Sequence, residues 1–143
     1  MKYRVPSMLL LAALLSGTTA ASIGLAKSAE VEIQTAIPGT STEIWRAIDG
    51  QIVELKSLVA NNTLSSVHQH AYAVRDLVRA LPSHSQGLSA AALANVGAHV
   101  KFVDTLAARL DASGDAKDKS STAANLAKLE NIVIAIKAQY GIH

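Results

Sequence analysis

The sequence predicts an all-α protein, an antiparallel up-down-up-down four-helix bundle that follows a cleaved signal peptide. Three observations lead there. Half of the 143 residues are apolar but only 3% are aromatic; the excess lies in Ala, Leu, Val and Ile, which suits slim, closely packed helices better than a sheet sandwich. Apolar residues recur at steps of three and four in four separate stretches, the period of a helix with one buried face. Short segments rich in Pro, Gly, Asn and Ser join those stretches, and short connections make consecutive helices antiparallel neighbours.

The first element is expected to leave the chain. Lys2 and Arg4 precede an apolar run from Met8 to Leu15, and Thr19-Ala20-Ala21 offers small residues for cleavage near 21, with Gly24-Leu25-Ala26 a second point near 26. This is the layout of a secretory signal peptide over residues 1–26. Its apolar run falls short of the ~20 residues that cross a bilayer, so no membrane span is expected in the mature chain, and the expected location is periplasmic or secreted. Residues 27–39, with Pro38-Gly39 and no sustained period, read as a flexible arm. Residues 40–143 read as one domain with one core.

Within that domain, Thr40 and Glu43 have the spacing of a capping box. Ile44, Ile48, Ile52, Leu55 and Val59 then form the seam of helix one, which ends at Asn61-Asn62, residues that tolerate the left-handed conformation. Helix two carries Leu64, Val67, Ala71, Val74, Val78 and Leu81 and closes at Pro82. After a turn over 83–87, helix three carries two adjacent seams, Leu93, Val96, Val100, Val103, Ala107 and Leu110 beside Val96, His99, Val103, Leu106 and Leu110. Residues 111–121 read as a polar turn with Gly114 as breaker; Asp111, Ser113, Asp115 and Asp118 lack the glycine and glutamate positions of a calcium loop. Helix four carries Thr122, Leu126, Leu129, Val133, Ile136 and Tyr140.

Of 13 basic residues, Lys2 and Arg4 fall in the leader, which leaves 11 against 11 acidic ones. A neutral chain with interspersed charges offers no electrostatic footprint for nucleic acid. The absence of cysteine excludes disulfides, thiolate metal sites and the C-x-x-C-H haem attachment. No Gly-rich phosphate loop, G-x-S-x-G elbow or H-E-x-x-H helix occurs, so an enzyme is not expected.

The histidines are the candidate functional residues, because imidazole is a common metal ligand and both methionines lie in the leader. His68 and His70 are two apart, about 200° around a helix, so they cannot both face one ion. Opposite residues on antiparallel helices have numbers with a constant sum fixed by the intervening turn. A turn centred on 84 and 85 gives 169, which pairs His70 with His99. One centred near 62 and 63 gives 125 and sets Leu55, with Glu54 beside it, opposite His70. One between 115 and 116 gives 231 and sets Ile132, with Glu130 nearby, opposite His99. The expected site is therefore a layer of His70, His99 and Glu54, with His68 or Glu130 near, whose donors suit zinc, copper(II) or nickel. The competing reading makes His99 a boundary residue, His68 and His70 ordinary flank residues, and Glu54 the partner of Arg75 in a structural ion pair. His84 and His143 are expected to be exposed.

The phrase Val67-His68-Gln69-His70-Ala71-Tyr72-Ala73-Val74-Arg75-Asp76-Leu77, with Leu110-Asp111-Ala112-Ser113-Gly114-Asp115, resembles small exported helical proteins associated with bacterial heavy-metal efflux systems. The resemblance implies metal handling and assigns no residue a role. In helix order and export, residues 40 to 140 are also similar to the cytochrome b562 type of bundle. That family takes its haem ligands from a methionine near the start of helix one and a histidine in helix four, whereas this chain has Trp45 and Ile48 in the first region and no helix-four histidine before His143. Haem held by His70 and His99 is thus a lesser expectation. The leading expectation is an exported bundle that binds a divalent transition metal ion in metal homeostasis or resistance. The alternative is a non-catalytic module that docks another envelope protein.

Overall fold

The computed structural model describes residues 34–142, in which every regular element is helical. Four α-helices follow one another: α1 (Ser41–Ala60), α2 (Val67–Ala80), α3 (Ala90–Asp115) and α4 (Lys119–Gln139). The expected signal peptide over residues 1–26, residues 27–33 of the expected arm and His143 lie outside the described residues.

Local chemistry sets the helix ends. Thr40 caps α1, its hydroxyl oxygen accepting from the Glu43 backbone N–H at 3.3 Å while its O–H donates to the Glu43 carboxylate at 2.8 Å. Asn62 stops the helix in the left-handed region at φ 58°, where an asparagine side chain is tolerated. Leu64, expected at the head of helix two, instead belongs to a 3₁₀ turn, Leu64–Ser66, that leads into α2. Pro82 lacks the N–H needed to continue α2, and Leu81–His84 form a second 3₁₀ turn. Ser89 caps α3 through the Ala92 N–H at 3.1 Å. Asp118 caps α4, accepting from the Ser121 N–H at 3.0 Å and the Ser121 O–H at 2.6 Å. Those hydrogen bonds hold the Asp118 carboxyl below its ordinary pKa.

One expectation fails at the end of α3. Residues 111–115 are helical, not a polar turn, and Gly114 is buried inside the helix. A Cβ built on Gly114 would stand 2.9 Å from the Leu64 carbonyl oxygen and 3.3 Å from Val67 Cβ. Glycine here lets the 3₁₀ turn before α2 press against α3. The reversal itself needs only three residues, Ala116 to Asp118, with Lys117 at φ 54°.

The predicted seams make the core. Ile44, Ile48, Leu55, Val59, every apolar seam residue of helix two, Val96, Val103, Leu106, Ala107, Leu110, Leu126, Leu129, Val133 and Ile136 join one buried cluster. Buried Thr122 donates to its own helix at the Asp118 carbonyl, 2.7 Å away, with Ser113 Oγ 3.1 Å off.

Cross-helix bonds reveal the register. Tyr72–Asp111 and Arg79–Asp104 link α2 to α3 with residue numbers that sum to 183, fourteen more than a tight turn at 84 and 85 implies. On this register Leu81 is level with Phe102, so the first twelve residues of α3, about 18 Å at 1.5 Å each, run past the end of α2. Residues 81–89 are therefore a climbing connection. Asn95–Gln139 and the Asn125 contact to the Arg109 carbonyl link α3 to α4 with a sum of 234, and Lys56–Glu130 and Lys137–Asp49 link α1 to α4 with a sum of 186.

Two glycines in α3 should respond oppositely to substitution. Gly114→Ala should lower the unfolding free energy by about 1–3 kcal/mol through forced backbone displacement, whereas Gly97→Ala, whose Cβ meets nothing within 4 Å, should raise it by about 0.5–1 kcal/mol. Urea unfolding of both variants checks this; equal effects would refute the close-approach argument.

Candidate functional site

The four predicted ligands occupy separate places. His70, half-buried on α2, has Nδ1 2.7 Å from Gln51 Oε1 on α1. Gln51, not Leu55, is thus the residue facing it. Glu54 is exposed, on the outside of α1. Arg75 leaves Glu54 alone: its Nε bonds Asp76 at 2.8 Å and its guanidinium lies 4.4 Å from the Tyr72 ring centroid. The expected Glu54–Arg75 pair does not form, because Arg75 finds nearer partners on its own helix.

His68 Nδ1 stands 3.0 Å from the Ser65 carbonyl, and His99 Nδ1 2.8 Å from the Asn95 carbonyl. A carbonyl only accepts, so Nδ1 is the donor in both contacts. Outer acceptors orient metal-binding histidines in the same way, but these imidazoles do not converge. On the α2–α3 register His70 is level with Ser113, fourteen residues from His99, a separation of about 21 Å along the helix. Among the described residues no group of three or more His, Asp or Glu side chains is gathered to hold a metal ion.

Two other features stand out. At the end where α2 is missing, Trp45 on α1 meets Tyr140 after α4 edge to face, with ring centroids 5.3 Å apart, and Lys137 Nζ lies 5.7 Å from the Trp45 ring centroid. Ser85, on the climbing connection, bonds the Tyr140 hydroxyl at 2.7 Å and also contacts the Leu81 carbonyl. Burial raises the Tyr140 pKa, partly opposed by the Ser85 hydrogen bond. Trp45 is 5% exposed and its Nε1 has no hydrogen-bond partner among the described residues, a defect that costs about 1–3 kcal/mol.

The second feature is a trough of about 470 Å³ on the outer side of α3 and α4, lined by Phe102, Thr105, Leu106, Arg109, Lys128, Asn131 and Ile132. Phe102, the only phenylalanine, leaves 58% of its surface exposed. On the α3–α4 register Phe102 is level with Ile132 and Leu106 with Lys128. Among the described residues neither Arg109 nor Lys128 is engaged in an ion pair. Sequence reading missed this site; its signal was a lone aromatic residue one position off both apolar seams of helix three. No family model, curated protein or solved structure matches the chain.

Two outcomes follow. Isothermal titration with zinc, copper(II) and nickel should yield no stoichiometric micromolar site, and His70→Ala/His99→Ala should leave the heats unchanged; a site lost in that double variant would restore the histidine layer. For Tyr140 the folded pKa exceeds the unfolded value, so its contribution to stability is complete below about pH 10 and declines as pH rises through the folded pKa. Tyr140→Phe should remove that part of the alkaline loss in pH-dependent urea unfolding, and an unaltered profile would contradict the burial argument.

Proposed function

We propose that the chain is an exported up-down-up-down four-helix bundle, non-catalytic, that docks another envelope protein through the α3/α4 trough. The observation that carries this reading is Phe102, a large apolar side chain exposed beside Leu106 and half-buried Ile132 in a concave, cation-rimmed groove. The opposed numbering of the cross-helix pairs supports the topology. The amino-terminal pattern of charge, apolar run and small residues supports export.

Energetics favour an occupant for the trough. Full burial of a phenylalanine side chain is worth about 1.5–3 kcal/mol, so a partner that covers the exposed part of Phe102 gains roughly half of that. A large aromatic anchor in a pocket flanked by Arg is the composition of an interface centre. The layer of His70 and His99 expected for metal handling is not gathered on this register, whereas the trough is formed by the described helices as they pack.

A photoreactive amino acid at Thr105, introduced in cells that export the protein, should give one discrete adduct, identifiable by mass spectrometry and lost on Phe102→Glu. The same group at Glu54 should give none. Equal adducts at both positions, or none at Thr105, would remove the support for docking.

A further inference from the structure

We infer that the α3/α4 trough takes an acidic amphipathic helix of its partner, seated with its apolar anchors over Phe102 and Ile132 and its carboxylates toward Lys128 and Arg109. This inference rests on the docking reading above and names the partner's chemistry. The trough is polarised along its length. At one end Phe102 and Ile132 face each other as apolar walls; one turn further Leu106 is level with Lys128, and Arg109 follows on α3. Thr105 and Asn131 supply polar groups along the rim.

The surrounding carboxylates are directed elsewhere. Asp104 pairs with Arg79 and Asp111 accepts from Tyr72, both toward α2, while Glu130 pairs with Lys56 on α1. The remaining acid of the two helices, Asp115, lies six residues beyond Arg109 at the carboxyl end of α3. Among the described residues the trough is thus apolar and cationic, with no carboxylate in its lining.

That pattern selects among occupants. A second copy docked by the same face would bring two Arg109 and two Lys128 into one interface with no carboxylate among the lining residues to offset them, and like charges gathered in an interface are repulsive. A membrane would favour an apolar ridge, whereas this surface is concave between two helix ridges, the shape into which the side-chain ridge of a third helix packs. Seven residues separate Phe102 from Arg109, about 10.5 Å of helix. A partner helix matches them with apolar residues at i and i+4 and carboxylates near i+7 and i+8, in reach of a bidentate pair with Arg109.

The test uses the purified protein and two fluorescent helical peptides of about 15 residues, built on Ala and Gln with Leu at i and i+4. One carries Glu at i+7 and i+8, the other Lys. Fluorescence anisotropy at low salt should give the Glu peptide a Kd lower by about tenfold or more, a preference that fades as salt screens the charges. Arg109→Glu/Lys128→Glu should reverse the preference, and Phe102→Glu should abolish binding of both peptides, with circular dichroism unchanged because all three positions are on the surface. Equal binding of both peptides, lost on Phe102→Glu, would overturn the acidic preference and leave docking in place. Binding of neither peptide while the Thr105 adduct persists would overturn this inference alone, and loss of that adduct as well would overturn the docking reading. Binding to phosphatidylglycerol vesicles, or a concentration-dependent dimer that Phe102→Glu dissolves, would assign the face to another occupant and overturn the inference.

Discussion

Pro82 ends α2 after fourteen residues, while α1 and α3 on either side run for 20 and 26, so a core built by four helices loses one of its walls partway along. The chain closes the gap with the climbing residues 81–89 and the aromatic pair Trp45 and Tyr140. Backbone in such a connection has unmet polar groups, which is why Ser83, His84 and Ser85 all turn side chains back onto the carbonyls of Ala80 and Leu81. The orphaned Trp45 Nε1 and the raised Tyr140 pKa are consequences of filling the same space with bulky groups that carry polar tips.

The long third helix has a second consequence. Because α3 overshoots α2 by about 18 Å, residues that a tight turn would set face to face are displaced by about two heptads in the sum of their numbers. His70 and His99 fall on different layers for this reason. At the other end, Gly114 admits the Leu64 carbonyl against α3 and fixes the register by steric contact. The surface ion pairs agree with this register but contribute little to it, since exposed pairs are worth about 0–1 kcal/mol each.

Charge is balanced in total beyond residue 26 but segregated in space. Asp104, Asp111 and Glu130 serve bonds to α2 and α1, and the trough on the outer side of α3 and α4 is left with Arg109 and Lys128 beside Phe102. Net charge, summed over a chain, hides that separation. Under the docking proposed for this face, charge would contribute by steering as well as apolar surface by burial.

Helix number, the Thr40 cap, the stop at Asn62, the break at Pro82 and nearly every core position were legible in the sequence, because each depends on residues within a turn or two of one another: a period, a side-chain cap, a missing N–H. The polar run after Asp111 misled for an informative reason. Gly114 and its acidic neighbours resemble a turn locally, and only contact with Leu64 and Val67 makes a glycine useful inside that helix. The tertiary structure alone decided the register between helices, and with it the separation of His70 from His99, the isolation of Glu54 and the meeting of Phe102 with Ile132. Register is a sum over contacts between segments far apart in sequence, and a repeating apolar seam satisfies several registers almost equally well. The choice falls to the few positions, such as a buried glycine or a short helix ended by proline, whose effect appears only once the helices are packed.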